Sequence, residues 1–186
     1  MYDKPLVVVA LESEYKNSEL NILYTGVGKL NAMLALANNF EKWGRPSQII
    51  NYGTAGTVNK KHSGLVEVDI IIQRDMIAEP QAPRGITPFS NIENAGAIML
   101  ETGTDITLGT GDSFVQGYDP WFEYASIDIV DMEAYALAKF AKNRNIPFRC
   151  FKYVSDFADK NAMDNWTNNV SNGQETFDSM IKQIIN

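Results

Sequence analysis

Residues 128–159, DIVDMEAYALAKFAKNRNIPFRCFKYVSDFAD, contain the alternation of strand and helix that decides the fold. The apolar residues 126–130 predict a strand, and residues 132–143 predict a helix that Asp131 caps. Residues 148–154 predict a second strand. A strand, a helix and another strand in this order are typical of a parallel α/β sheet.

An acidic residue follows each of these predicted strands. Glu133 comes just after the first strand and Asp156 just after the second, and Glu14 follows a further apolar strand at residues 6–10. Ligands of open α/β sheets bind outside the carboxyl ends of the strands. The sequence therefore predicts that the three carboxylates share one crevice.

The remainder of the chain continues the same alternation. A glycine turn at residues 26–29 opens an amphipathic helix that Gly44 and Pro46 end, and the C-terminal residues predict another helix. Further strands are predicted at residues 22–25, 48–52, 67–73 and 106–110. The fold class is therefore α/β: residues 1–186 form a single three-layer domain, with a mostly parallel mixed β-sheet flanked by helices.

Two connecting segments are expected to lie near a ligand. Residues 53–56, GTAG, predict a small-residue turn that lets the backbone approach a ligand closely. Residues 75–91 contain three prolines and a glycine, so they predict an irregular loop over the site or at an interface.

Composition narrows the class of partner. The 186 residues carry 16 basic and 23 acidic side chains, a net charge of −7, which argues against binding to nucleic acid. The first residues lack a basic leader with a long apolar region, and no stretch approaches membrane-spanning length. We therefore expect a cytoplasmic protein with no nucleic-acid or membrane partner.

The sequence contains one cysteine and one histidine, which restricts the chemistry. Cys150 lies in an apolar strand, where a buried small side chain is expected, and His62 lies in a polar run typical of a solvated loop. A zinc site and a Ser-His-Asp or Cys-His nucleophile are therefore not expected, and neither is a metal or a cofactor. The chemistry is expected to depend on carboxylates.

Each carboxylate also has an ordinary structural explanation. Glu133 suits the first turn of a helix, Asp156 suits a capped turn, and Glu14 suits a solvated loop. Their joint position after three separate apolar strands favours the functional interpretation.

Six motifs in order along the chain resemble those of the purine nucleoside phosphorylase/nucleosidase family, and they match its nucleosidases best. The motifs are ALESE at 10–14, TGVGK at 25–29, NYGTAG at 51–56, GDSFV at 111–115, DMEA at 131–134 and SDFAD at 155–159. Together they span nearly the whole chain, which makes the resemblance more specific than any single motif.

The resemblance implies hydrolysis of the N-glycosidic bond of an adenosine-type nucleoside, such as methylthioadenosine or adenosylhomocysteine. Asp156 resembles the general acid that protonates the purine at N7, and Ser155 resembles the residue that orients it. Phe114 is in the position that stacks on the base, and the backbone of Val115 is in the position that reads its edge.

The resemblance also implies roles on the sugar side. Glu133 and the backbone of Met132 correspond to the groups that bind the ribose hydroxyls. Glu14 corresponds to the acid that positions the attacking water, and Thr54 supplies a hydroxyl close to the ribose and that water. Cleavage through an oxocarbenium-like state needs one protonated and one ionised carboxyl. Burial of Asp156 beside Phe157 and the strand residues Tyr153 and Val154 is expected to raise its pKa and keep its carboxyl protonated.

The chain departs from the family pattern in three places. Lys152 occupies the position of a family arginine, which affects how that side chain positions water because the two cations differ in geometry. A strand pair expected after the first acidic turn and a helix expected before Ile106 are missing, and the proline-rich segment replaces the usual one. These changes leave the identity of the 5′ substituent open.

Two other functions fit the same residues. A phosphorylase shares the fold but must bind phosphate, and Glu14 argues against it because an anion repels phosphate. A non-catalytic nucleoside-binding protein is the second alternative, which the presence of both Asp156 and Glu133 disfavours. The family also implies a homodimer in which a neighbour closes the 5′ pocket, with Phe89, Trp121 and Phe122 as candidate exposed interface aromatics.

Overall fold

The computed structural model describes residues 4–91 and 96–185. The strands are Leu6–Val9 (β1), Ile22–Tyr24 (β2), Ile49–Thr57 (β3), Gly64–Glu67 (β4), Ile70–Gln73 (β5), Ile98–Met99 (β6), Thr107–Thr110 (β7), Ile129–Asp131 (β8) and Phe148–Asp156 (β9). The helices are Lys29–Trp43 (α1), Pro120–Tyr124 (α2), Ala134–Asn143 (α3), Ala162–Asn169 (α4) and Gln174–Ile185 (α5). None of these helices is long and apolar enough to cross a membrane.

The strands join one mixed sheet. Its main path is β2-β1-β3-β8-β7-β5-β6, and β9 pairs with β3 and β4. Strands β1 and β2, β1 and β3, β3 and β9, β5 and β7, and β7 and β8 run parallel. The pairs β3 with β8, β4 with β9 and β5 with β6 are antiparallel. The predicted α/β class with a mostly parallel mixed sheet is confirmed.

Alternating side chains of β1 build a core on each face of the sheet. Leu6 and Val8 pack with residues of α1 and α3 on one face. Val7 and Val9 pack on the other face with Phe177 of α5. Because successive strand residues point to opposite faces, a short run of apolar residues holds three layers together.

An aromatic cluster fastens α5 to the sheet beside the first acidic turn. Phe177 stacks on Tyr52 with ring centroids 4.1 Å apart and meets the edge of Tyr15 at 4.9 Å. The Tyr15 hydroxyl donates a hydrogen bond to Asp178. Tyr15 is fully buried, so α5 fixes the backbone next to Glu14.

Two predicted boundaries in the sheet are wrong. The segment Gly53 to Gly56 is part of strand β3, because its small residues continue the pairing with β9 in place of a turn. The single strand predicted at residues 67–73 is two strands, β4 and β5. Strand β4 pairs with β9 and strand β5 pairs with β7, and between the two strands the Asp69 carboxylate accepts hydrogen bonds from Thr102.

Helix α3 begins at Ala134, two residues later than predicted. The N-cap residue is Glu133, whose side chain makes no capping hydrogen bond, so the prediction of Asp131 as the cap is wrong in position. Asp131 Oδ2 still accepts from the backbone N–H of Ala134, the first residue of the helix, at 2.9 Å. The short helices α2 and α4 and strand β6 were not predicted. Residues 75–91 contain no helix or strand apart from a bridge between Ala78 and Ala82, as expected.

Candidate active site

A cavity of about 190 Å³ lies where several strands of the sheet end. Its lining includes eight of the nine predicted site residues: Glu14, Thr54, Phe114, Val115, Met132, Glu133, Ser155 and Asp156. The three carboxylates predicted to share a crevice therefore share one. Lys152, the ninth residue, is outside the lining and is buried in the sheet.

Asp156 ends strand β9 and is buried in the cavity wall. Its Oδ2 accepts from the Ser155 hydroxyl at 2.8 Å, and its Oδ1 accepts from the backbone N–H of Ala158 at 2.9 Å. Burial raises the pKa of Asp156, and these two hydrogen bonds oppose the shift. A carboxyl with a raised pKa is suited to give up a proton as a general acid.

Asp156 is buried, as expected, although the Phe157 side chain next to it is 50% exposed and faces the Lys60 ammonium. Gly56 and Ala158 are close neighbours of Asp156: a Cβ on Gly56 would lie 2.6 Å from Asp156 Oδ1 and 3.2 Å from the Cβ of Ala158. The absence of a side chain at Gly56 therefore makes room for the acid.

Glu14 is buried and held by three donors. Its Oε1 accepts from the backbone N–H of Thr54 at 2.8 Å and from the Thr54 hydroxyl at 2.7 Å. Its Oε2 accepts from the backbone N–H of Leu11 at 3.1 Å. The carboxyl of Glu14 is therefore the acceptor in all three hydrogen bonds. Oε2 keeps acceptor capacity for a further donor, such as a water in the cavity.

Glu133 lies between strand β8 and helix α3. Burial raises the pKa of Glu133 to about 8, and the nearby Asp131 charge adds to the shift. The Lys152 charge and the hydrogen bond from the Gly28 N–H to Glu133 Oε1, 2.8 Å long, oppose it. Glu133 can therefore carry a proton at neutral pH and share it with a hydroxyl of a ligand.

Lys152 and Asp131 form a buried ion pair with Nζ and Oδ2 2.8 Å apart, and Asp131 is part of the cavity lining. Burial disfavours the lysine charge, but the Asp131 carboxylate outweighs burial and holds the pKa of Lys152 above its usual range. A Cβ on Gly53 would lie 3.3 Å from Glu14 Oε1 and 3.4 Å from Lys152 Nζ, which places the cation close to Glu14. Contact of Lys152 with substrate stays a prediction.

The turn that carries Phe114 and Val115 is held from below by Arg74, which sequence reasoning missed. Arg74 Nη1 donates to the Ser113 hydroxyl at 3.0 Å, and Nη2 donates to the carbonyl of Gly111 at 3.0 Å. Arg74 lines the cavity, and burial lowers its pKa. Within the described part of the chain its Nε has no acceptor.

Helix α4 adds two more cavity residues that were not predicted, Met163 and Trp166. The indole Nε1 of Trp166 donates to the Thr54 hydroxyl oxygen at 2.9 Å. No motif marks this helix, and the contact joins residues far apart in sequence. Its apolar spacing, Ala162, Met163 and Trp166, is the only sequence signal that could have indicated an element here.

Cys150 and His62 take no part in the cavity lining. Cys150 is fully buried, as expected, and burial raises the pKa of its thiol to about 12. His62 Nε2 lies 3.4 Å from Asp128 Oδ1. Across residues 4–91 and 96–185, no group of three His, Cys, Asp or Glu side chains is placed to hold a metal ion.

Comparison with known proteins identifies relatives over almost the whole chain. A family model described as the phosphorylase superfamily matches residues 8–186. A 5′-methylthioadenosine/S-adenosylhomocysteine nucleosidase of Buchnera aphidicola subsp. Schizaphis graminum is 25% identical over 193 residues, which cover 92% of this chain and 80% of the relative. The protein of the same description from Bacillus subtilis is 26% identical over 174 residues, covering 80% and 73%.

Solved structures share the fold at lower identity. The 5′-methylthioadenosine/S-adenosylhomocysteine nucleosidase from Helicobacter pylori has a TM-score of 0.83 and 16% identity, and the match covers 98% of this chain and 99% of that one. The futalosine hydrolase of Helicobacter pylori has a TM-score of 0.81 and 16% identity, with 97% and 98% covered. These similarities confirm the architecture of the sheet and its helices.

Proposed function

Because the chain belongs to the phosphorylase superfamily, we propose that it hydrolyses the N-glycosidic bond of an adenosine-type nucleoside and releases the purine and the free sugar. The relatives matched by sequence are 5′-methylthioadenosine/S-adenosylhomocysteine nucleosidases, which supports methylthioadenosine and adenosylhomocysteine as the substrate class. The reaction belongs to methionine salvage.

The observation that favours water over phosphate is that both hydrogen-bond donors of Thr54 are already bonded to Glu14. The backbone N–H and the hydroxyl of Thr54 are two convergent donors of the kind that bind an anion, and Glu14 Oε1 takes both. A phosphate oxygen would have to displace a carboxylate that shares its charge. A neutral water can instead donate a hydrogen bond to Glu14 Oε2.

In the proposed mechanism the bond between the purine N9 and the sugar C1′ breaks and its electrons pass into the base. Asp156, whose pKa is raised by burial and which Ser155 orients, donates a proton to N7 of the leaving purine. Phe114 stacks on the base and the backbone of Val115 reads its edge. The purine leaves as a neutral molecule.

On the sugar side, Glu133 and the backbone of Met132 bind the ribose hydroxyls, and water attacks C1′. Glu14 positions that water and accepts its proton as the new bond forms to C1′, and Thr54 holds Glu14 in place. Lys152 acts by pairing with Asp131, which is part of the cavity lining. The chemistry requires no cofactor.

We propose further that the protein acts in the cytoplasm as a homodimer in which a partner helps to close the 5′ pocket. Of the three aromatics expected at that interface, Phe122 is buried and is therefore wrong as an exposed contact, whereas Trp121 is partly exposed beside the Arg84 guanidinium and stays a prediction. Phe89, at 96% exposed, remains a candidate and supports the proposal. Light scattering at assay concentration checks it, and a monomer alone would contradict it.

The hydrolysis is tested by incubating the protein with methylthioadenosine, adenosylhomocysteine, adenosine and inosine, with and without phosphate, and identifying both products. We expect purine release that is independent of phosphate, together with free sugar. Rates proportional to phosphate with accumulation of a sugar 1-phosphate would identify a phosphorylase and overturn the role of Glu14. No release from any of the four would favour a non-catalytic nucleoside-binding protein, or a nucleoside whose 5′ group suits the proline-rich segment at residues 75–91.

A further inference from the structure

Helix α4 is tied to both sides of the candidate active site. At one point the Trp166 indole donates to the Thr54 hydroxyl at 2.9 Å. At another, the Asn169 side-chain amide donates to the backbone carbonyl of Ser155 at 2.9 Å. Ser155 in turn bonds Asp156, and Thr54 bonds Glu14. The helix therefore contacts the immediate partner of each proposed catalytic carboxylate.

The chemistry of the donors fixes the direction of the hydrogen bonds through Thr54. An indole N–H can only donate, so the Thr54 oxygen must accept from Trp166. An ionised Glu14 can only accept, so the single proton of the Thr54 hydroxyl must point to Glu14 Oε1. Trp166 therefore donates to Thr54 and Thr54 donates to Glu14, and neither hydrogen bond can run in the opposite direction.

This arrangement leaves one place for water. Glu14 Oε1 already accepts two hydrogen bonds from Thr54, and Oε2 accepts one from Leu11. The remaining acceptor capacity of a carboxylate with about four lone-pair sites is then on Oε2. Anything that frees the Thr54 hydroxyl to rotate also frees Glu14 Oε1 to accept from water in a second, unproductive position.

We propose that Trp166 is a positioning residue for the attacking water, acting through the Thr54 hydroxyl and Glu14. This inference rests on the proposed hydrolysis. Donation by the indole polarises the hydroxyl and strengthens its bond to Glu14. It also holds the hydroxyl in one rotamer, so that only Oε2 is available to the water.

The test is a double-mutant cycle on Trp166 and Thr54. Trp166→Phe removes the N–H and keeps an aromatic ring on the cavity wall, and Thr54→Val removes the hydroxyl at nearly constant shape. We expect Trp166→Phe alone to lower kcat by about 3- to 10-fold, the size of one lost hydrogen bond. In the Thr54→Val background the same change is expected to have almost no further effect on kcat, because the link it breaks is already absent.

A second readout reports on water directly. In mixtures of water and methanol, attack by methanol gives the methyl glycoside and attack by water gives the free sugar, with the purine released in both cases. A site that holds water less firmly discriminates less between the two, so we expect Trp166→Phe to raise the ratio of methyl glycoside to free sugar several-fold. A residue that only shapes the cavity would alter KM and leave this ratio unchanged.

The outcomes separate this inference from the proposed function. If the loss of kcat in the double variant equals the product of the losses in the two single variants, the role of Trp166 is overturned and the hydrolysis stands. An unchanged product ratio in Trp166→Phe has the same consequence. Absence of turnover by the wild type would overturn both. Thermal unfolding of each variant confirms that the comparison is made between folded proteins.

Discussion

Three of the buried carboxyls that line the cavity have different immediate neighbours. Burial raises the pKa of Asp156, and burial with an adjacent charge raises that of Glu133, whereas Glu14 accepts hydrogen bonds from three donors. Under the proposed function, carboxyl groups would thus supply the acid, the sugar ligand and the group that positions water.

Replacing Asp156 by Asn tests the acid. The change keeps the size of the side chain and removes the proton that the purine needs, so turnover is expected to fall about 10²- to 10⁴-fold. Binding of a non-hydrolysable nucleoside analogue should largely survive, and calorimetry measures it. Near-normal turnover in this variant would show that another group protonates the base.

Glu133→Gln tests recognition of the sugar. The wild type is expected to reject 2′- or 3′-deoxy substrates, because a buried group built to bond a hydroxyl is left unpaired by an analogue that lacks it. The variant should lose both activity and this discrimination, as measured by kcat/KM for matched substrates. If it kept both, Glu133 would be no more than an acid in the first turn of a helix.

Residues within motifs could be predicted from the sequence, and residues outside motifs could not. Glu14 and Glu133 follow strands β1 and β8, Asp156 is the last residue of strand β9, and strand ends converge in this class of fold. Arg74 and Trp166 reach the cavity through contacts with Ser113 and Thr54, which lie 39 and 112 residues away along the chain. The pattern of apolar and polar residues in one segment does not indicate a contact with a residue so far away in the sequence.

At the scale of elements, the close pairing of β3 with β9 positions the acid. The two strands run in parallel register from Ile49 opposite Phe148, and the register shifts between Ala55 and Gly56, just before Asp156 is reached. The predicted turn at residues 53–56 was wrong because small residues suit a sheet that lies against a ligand cavity as well as they suit a turn. Whether such a segment forms a strand or a turn depends on whether a neighbouring strand, here β9, is available to pair with it.

Gly56→Ala is expected to displace the acid without unfolding the protein. The new Cβ would lie 2.6 Å from Asp156 Oδ1 and 3.2 Å from the Cβ of Ala158, so the carboxyl must move. A misplacement of about 1 Å can cost about 10²-fold in rate, and we expect a loss of that size in kcat.

The matched control is Gly117→Ala, since nothing lies within 4 Å of a Cβ at Gly117. Circular dichroism should show that both variants are folded. Equal kcat values for the two alanine variants would contradict the positional role of Gly56.

At the scale of the whole molecule, the buried Glu133 links stability to pH. The unfolded chain loses this proton near its ordinary pKa of 4.5, whereas the folded protein keeps it until about pH 8. Between these two pH values the folded state binds more protons than the unfolded state. The contribution of Glu133 to the free energy of unfolding is therefore full below the lower pKa and is lost as pH rises to the upper pKa.

We therefore expect the free energy of unfolding to decrease as pH rises through this window, and to decrease less in Glu133→Gln. Urea unfolding at several pH values measures both slopes. Asp156 acts in the same direction, because burial raises its pKa too, so the variant should keep part of the slope. Identical slopes in the two proteins would show that Glu133 is ionised in the folded state throughout.

The aromatic cluster that joins Tyr15 to Phe177 also determines when one side of the cavity can form during synthesis of the chain. Glu14 leaves the ribosome well before α5, but its neighbour Tyr15 packs on Phe177 and bonds Asp178, which is 163 residues later in the chain. Domains fold as their residues emerge, and a contact cannot form before both partners exist. The Glu14 side of the cavity is therefore completed only when α5 has been made, and a nascent chain that stops short of it has the carboxylate but not its support.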